Sequence, residues 1–161
     1  MTGTAPETIR LAEAWSRPDP VEAPARATEF ERLFVGPGPV PCPPYESYWR
    51  EDVPFLLRGT LMGPCTAGLV DLYAQLGLQL APDAHELPDH VAVELEAMAV
   101  AESDPAGRDV AHALLEGHLA VWLPRFCGAV QAETVDEFYR CLAATTRRWL
   151  DVARGARVGA G

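Results

Sequence analysis

Lysine is missing from this chain. All thirteen basic side chains are arginine, set against 23 acidic ones, and the formal charge is −10 over 161 residues. We give the choice of arginine over lysine little functional weight. The acidic excess matters more, because nucleic acid and anionic membrane surfaces need a basic patch. It suits a neutral or basic partner, although many cytosolic proteins are acidic for solubility alone. No apolar run approaches the ~20 residues of a membrane span. No basic segment followed by an apolar one opens the chain, so no signal peptide is expected and the cytoplasm is the expected compartment. The four cysteines, Cys42, Cys65, Cys127 and Cys141, form no C-x-x-C pair and lie at no zinc-like spacing with a histidine. They are expected to be reduced and mostly buried.

Catalytic signatures are also wanting. There is no H-E-x-x-H, no P-loop and no G-x-S-x-G elbow. Gly36-Pro37-Gly38 is not a dinucleotide fingerprint, and no strand precedes it. His112 and His118 stand about 240° apart round a helix and cannot chelate one metal. Neither a cofactor nor a metal is expected.

What is present is helix punctuation. Ile9, Ala12 and Trp15 have helical spacing over about 5–16, with Thr4 and Glu7 as a capping box and Pro18 and Pro20 as the stop. A second helix fits about 25–35, and a third about 64–77, with Pro64 at its start and Gly77 at its end. Residues 50–63 are ambiguous, and 78–87 read as a connector. Pro88 is expected to open a helix to about 103, with Val91, Leu95 and Met98 toward the core and His90, Glu94 and Ala97 on a more polar face. Asp104-Pro105 starts the next helix, which Pro124 is expected to kink or split. Thr134-x-x-Glu137 reads as the capping box of the last helix. Val135, Phe138, Leu142, Thr145 and Trp149 are expected on its inner face, with a frayed tail from about 155. No period-2 alternation and no Asn-Gly or Asp-Gly hairpin appears. The expectation is one all-α globule over 1–161.

The run from Leu33 to Trp49 carries five prolines and two glycines, followed by Tyr45, Tyr48 and Trp49. It must be a stiff loop, and it walls either a core or a binding groove. Residue types alone favour Asp89 as a surface charge at a helix start, His90 as exposed, and Glu94 and Glu96 as a solvated face. His118, between Leu115 and Trp122, reads as a hydrogen-bonded core histidine. With no catalytic constellation, the residues point to a binding module. Aromatics with carboxylates at the rim would hold a peptide bearing basic residues. The competing readings are a small helical metal- or nucleotide-binding protein using His90, Glu94 and His118, and a structural accessory subunit.

Three blocks resemble a known family. They are Arg32-Leu33-Phe34-Val35-Gly36-Pro37-Gly38 with Pro43-Pro44-Tyr45-Glu46-Ser47; Leu87-Pro88-Asp89-His90-Val91 with Glu94-Leu95-Glu96-Ala97-Met98; and His118-Leu119-x-x-Trp122-x-Pro124-x-Phe126 followed by Phe138-Tyr139-x-x-Leu142-Ala143. In order and spacing they resemble the redox-enzyme maturation chaperones of the TorD/DmsD/NarJ type, over about 28–153. The resemblance implies an all-helical fold and a non-enzymatic cytosolic chaperone. Its partner would be the catalytic subunit of a molybdopterin-containing oxidoreductase, bound at its N-terminal, twin-arginine signal region until the cofactor is inserted. It implies peptide contact at Tyr45, Asp89 and His90, with His118 and Trp122 as further candidates. Glu46, Ser47, Trp49 and Glu94 complete the candidate set, the carboxylates for guanidinium groups and the aromatics for stacking. Only about thirty residues precede the first block, so either the start is truncated or this is a short member with a shallower groove, and a monomer or a domain-swapped dimer is expected. Neither nucleic-acid binding nor stable membrane insertion is implied.

Overall fold

Helices form wherever apolar residues recur at helical spacing between proline and glycine stops. The computed structural model describes residues 22–52, 63–81 and 85–158. The helix expected at 5–16, with its Thr4/Glu7 cap, lies outside them, as does most of the ambiguous stretch 50–63. Seven α-helices are described: α1 Glu22–Phe30, α2 Glu46–Trp49, α3 Pro64–Gln75, α4 Val91–Ser103, α5 Arg108–Leu114, α6 Ala120–Glu133 and α7 Glu137–Val158. Wider π turns follow α1 at Glu31–Val35 and α5 at Leu115–Leu119, and a 3₁₀ turn spans Pro105–Gly107. Among the described residues there is no strand, only a single antiparallel bridge between Tyr45 and His90. The fold is all-α. The chain groups into two compact units, one of the residues up to Pro43 and from Pro124 onward, the other Pro44–Leu123.

The first unit is organised around Glu29, which is 6% exposed. Arg32 binds it with a two-pronged contact, Nε to Oε2 at 2.8 Å and Nη2 to Oε1 at 3.0 Å. The same arginine donates to the Glu133 carbonyl at the end of α6. Glu29 Oε1 also accepts from the Thr134 hydroxyl and the Val135 N–H, both at 2.9 Å. The Arg32 guanidinium, helped by these donors, holds the Glu29 carboxyl down at about 2 despite its burial. The arginine of the first sequence block is thus a brace across the α6–α7 corner. Leu33 beside it is fully buried, a side chain worth about 1.5–3 kcal/mol of burial. Phe34 packs on Phe126 and Tyr139 at ring distances of 6.1 and 5.7 Å. The Pro/Gly loop then turns back, with the Gly36 N–H on the Glu31 carbonyl and the Cys42 N–H on the Leu33 carbonyl. Gly36 sits at φ +108°, a conformation side-chain-bearing residues avoid.

Three expectations for this unit need correction. Asp136, not Thr134, caps α7, its Oδ1 accepting from the Phe138 N–H. Thr134 is drawn instead to Glu29. The buried face of α7 is Tyr139, Ala143 and Leu150, whereas Val135 is 83% and Leu142 40% exposed. Pro124 neither splits α6 nor ends it.

In the second unit the chain folds as expected at α3, which begins at Pro64 and closes on Gly77 with φ +72°. α4 differs. It starts at Val91 rather than Pro88, with His90 as N-cap, and its buried face is Glu94, Ala97, Met98 and Ala101. Its residues are apolar on nearly every side, so periodicity selects no face. The turn into α5 needs glycine at 107, because a Cβ there would stand 2.4 Å from the Ala101 carbonyl oxygen. Of the four thiols, Cys42, Cys127 and Cys141 are buried and Cys65 half-buried, all unpaired with one another. Burial pushes Cys42 up to about 11 and Cys127 up to about 12.

Candidate functional site

All nine candidate residues fall in the second unit. Tyr45 is extended, and around it Pro44-Tyr45-Glu46 lies antiparallel to Asp89-His90-Val91. The Glu46 N–H donates to the Asp89 carbonyl and the Val91 N–H to the Pro44 carbonyl, both at 2.9 Å. Two sequence blocks more than forty residues apart are thereby joined through backbone. Prolines at 43 and 44 favour this extended entry to α2, and Tyr45 at φ −123° is its N-cap residue. Asp89 Oδ2 accepts from the Ser47 N–H at 3.2 Å, which fastens the first turn of α2 to the start of α4. Tyr73 of α3 supports the same turn from its hydroxyl, 2.7 Å from the Pro88 carbonyl.

Below this bridge the carboxyl groups are buried. Glu46, Asp89 and Glu94 all have 0% exposure. Sequence types favoured a surface Asp89 and a solvated face of Glu94 and Glu96; the structure buries Asp89 and Glu94 and leaves Glu96 exposed. Glu46 is paired with Arg50 one turn on, and with His118 Nδ1 at 2.9 Å. Glu94 Oε2 accepts from Trp122 Nε1 at 3.2 Å, and Trp122 is itself fully buried. Burial, reinforced by the nearby Glu46 charge, pushes the Glu94 carboxyl well above the usual carboxylate range. Among the described residues, four buried polar atoms here have no hydrogen-bond partner: Ser47 Oγ, Thr66 Oγ1, Asp89 Oδ1 and Glu94 Oε1. His118 is hydrogen-bonded, as the reading of it as a core histidine expects, but its side chain is 12% exposed and stands at the edge of the core.

The accessible edge is aromatic. The Tyr45 ring meets the His90 ring edge-on at 5.3 Å, and its hydroxyl donates to Glu86 Oε2 at 3.2 Å. His90 is not exposed as residue types suggested; its side chain is 17% exposed. Its Nδ1 accepts from the Ala92 N–H, which places any ring proton on Nε2, 3.7 Å from Glu86. Burial lowers the His90 pKa, against the pull of Glu86 and Asp89. Tyr48 is 49% exposed and packs edge-on against the half-buried Trp49 at 5.1 Å. Sequence reasoning missed Arg50, Asp52, Tyr73 and Glu86. The Glu46/Arg50 spacing of four was the available signal for the first. Among the described residues, no group of three or more His, Cys, Asp or Glu is placed to hold a metal ion.

Comparison with known proteins places this geometry. The model of the nitrate reductase delta subunit family matches residues 3–128. The chain is 34% identical over 122 residues to the Tat proofreading chaperone DmsD of Salmonella typhi, covering 73% of this chain and 55% of that protein. It is 29% identical over 113 residues to the chaperone protein TorD of Salmonella bongori, covering 70% and 49%. It therefore spans about half the length of these relatives. A crystal structure from Archaeoglobus fulgidus, assigned to the redox enzyme maturation proteins, superposes with a TM-score of 0.60 at 25% identity, covering 90% of this chain and 82% of that one. These relatives are named as chaperones and maturation proteins, not as enzymes, and among the described residues no helix is long and apolar enough to cross a membrane. The chain belongs to the nitrate reductase delta subunit family, that of the TorD/DmsD/NarJ-type redox-enzyme maturation chaperones.

Proposed function

We propose that this protein is a cytosolic, system-specific chaperone for the catalytic subunit of a molybdopterin-containing oxidoreductase. It binds the subunit's N-terminal, twin-arginine signal region and holds it until the cofactor is inserted. The observation that carries this reading is the joining of the Tyr45 and His90 segments into one aromatic edge directly above buried Glu46. A twin-arginine segment offers two guanidinium groups beside an apolar stretch, and each half has a counterpart here.

The residues divide by burial. Tyr45, Trp49 and His90 are accessible enough to touch the peptide, and Tyr48 joins them as the most exposed of the aromatics. Glu46, Ser47, Asp89, Glu94 and Trp122 are buried, and with His118 they form the floor that sets the charge and shape of the edge. Much of this edge is held by backbone hydrogen bonds, so little order remains to be imposed on binding.

The test is a pull-down with the catalytic subunit encoded beside this protein, made once in a cofactor-deficient host and once cofactor-loaded. The chaperone should be retained on the cofactor-free subunit and lost from the loaded one. Equal retention on both would support a permanent accessory subunit instead.

A further inference from the structure

We propose that the place now filled by the Arg50 side chain is a guanidinium subsite, and that Arg50 is an internal stand-in which a partner's arginine displaces. The inference rests on the reading of this protein as an arginine-peptide chaperone. Arg50 Nε and Nη2 form a side-on fork with the Asp52 carboxylate, Nε to Oδ1 at 2.8 Å. Its Nη1 donates to Glu46 Oε1 and, at 3.0 Å, to the Gly117 carbonyl. A fork to one carboxylate, a second carboxylate and a carbonyl together take up four of the five fixed donors of a guanidinium, a pattern that no other side chain supplies.

Three features make the site exchangeable. Glu46 is fully buried and keeps His118 as a second partner, so it is not stranded during exchange. The Asp52 side chain is 52% exposed, so the fork opens to solvent on its carboxylate side, while the Arg50 side chain is 13% exposed. Among the described residues, the first turn of α2 and the Asp89 side chain bonded to it also hold polar atoms with no hydrogen-bond partner. Asp89, bonded through Oδ2 to the Ser47 N–H, has its Oδ1 buried without a partner, and so is Ser47 Oγ.

Arg50→Lys tests the idea, because it keeps a cation on Glu46 but cannot make the fork. A peptide with two adjacent arginines, and its double-alanine counterpart, are titrated into both proteins by calorimetry. The expected result is about fivefold to tenfold tighter binding of the arginine peptide to Arg50→Lys, with no gain for the alanine peptide. If wild type binds the arginine peptide and Arg50→Lys binds it no tighter, the exchange is overturned while the chaperone reading stands. If neither protein binds it, both fall. A second measurement uses Arg50→Ala with ethylguanidinium, and ethylammonium as control. Ethylguanidinium at millimolar concentration should raise the melting temperature of Arg50→Ala but not of wild type. Equal effects of the two ions would overturn the guanidinium subsite. Should Arg50→Ala not fold, the Arg50→Lys titration decides.

Discussion

Replacing Glu94 by glutamine should stabilise the chain at neutral pH, by an amount that grows with pH. Glu94 is fully buried, its Oε2 accepts from Trp122 Nε1, and its Oε1 has no partner. Burial first, and the Glu46 charge second, raise its pKa well above the ordinary 4.5. In the unfolded chain the group ionises near that ordinary value. Above it, the folded state binds one proton more than the unfolded state, so stability falls as pH rises, by about 1.4 kcal/mol per pH unit while the folded carboxyl stays protonated. Glutamine keeps an acceptor for Trp122 and does not titrate. The advantage of Glu94→Gln over wild type should therefore widen as pH rises from 5 toward 7. Urea denaturation of both proteins at pH 5, 6 and 7 measures it. Parallel pH profiles, or a variant less stable than wild type at pH 7, would refute the claim that burial raises the pKa of this carboxyl.

Other residues give further expectations. Glu29 titrates with the opposite sign: its folded pKa of about 2 lies below the ordinary 4.5, so its contribution is complete above 4.5 and is lost as pH falls through about 2. Glu29→Gln should cost about 2–3 kcal/mol at pH 7 in urea denaturation, with the gap closing toward pH 2. Gly107→Ala should cost about 1–3 kcal/mol in the same assay, because its Cβ meets the Ala101 carbonyl at 2.4 Å; an unchanged midpoint would mean that the turn relaxes freely. Tyr45→Ala should weaken binding of a twin-arginine peptide about fivefold with a melting temperature near that of wild type, whereas a large fall in melting temperature would make Tyr45 a packing residue.

The helical class was legible because proline and glycine mark helix ends locally, as Pro64 and Gly77 do around α3. The bridge between Tyr45 and His90 was not. The two blocks were named together only through family resemblance, and nothing in either segment states that the Glu46 N–H will meet the Asp89 carbonyl. The largest error concerned Glu94. A glutamate on a helix reads as solvated, and its burial depends on an indole 28 positions away. Thr134 shows the same limit. Its local pattern predicts a cap, but Glu29, 105 positions earlier, takes the hydroxyl. Local chemistry set the elements, and distant partners decided which faces they bury.

The central claim is that the Tyr45–His90 edge receives an arginine-bearing N-terminal segment. It is tested most directly by calorimetric titration of this protein with the N-terminal peptide of the neighbouring oxidoreductase catalytic subunit, with and without its paired arginines. The account predicts saturable binding with a Kd on the order of 1–10 μM, lost when both arginines become alanine. No heat of binding up to about 100 μM, or equal affinity for the alanine peptide, would contradict it.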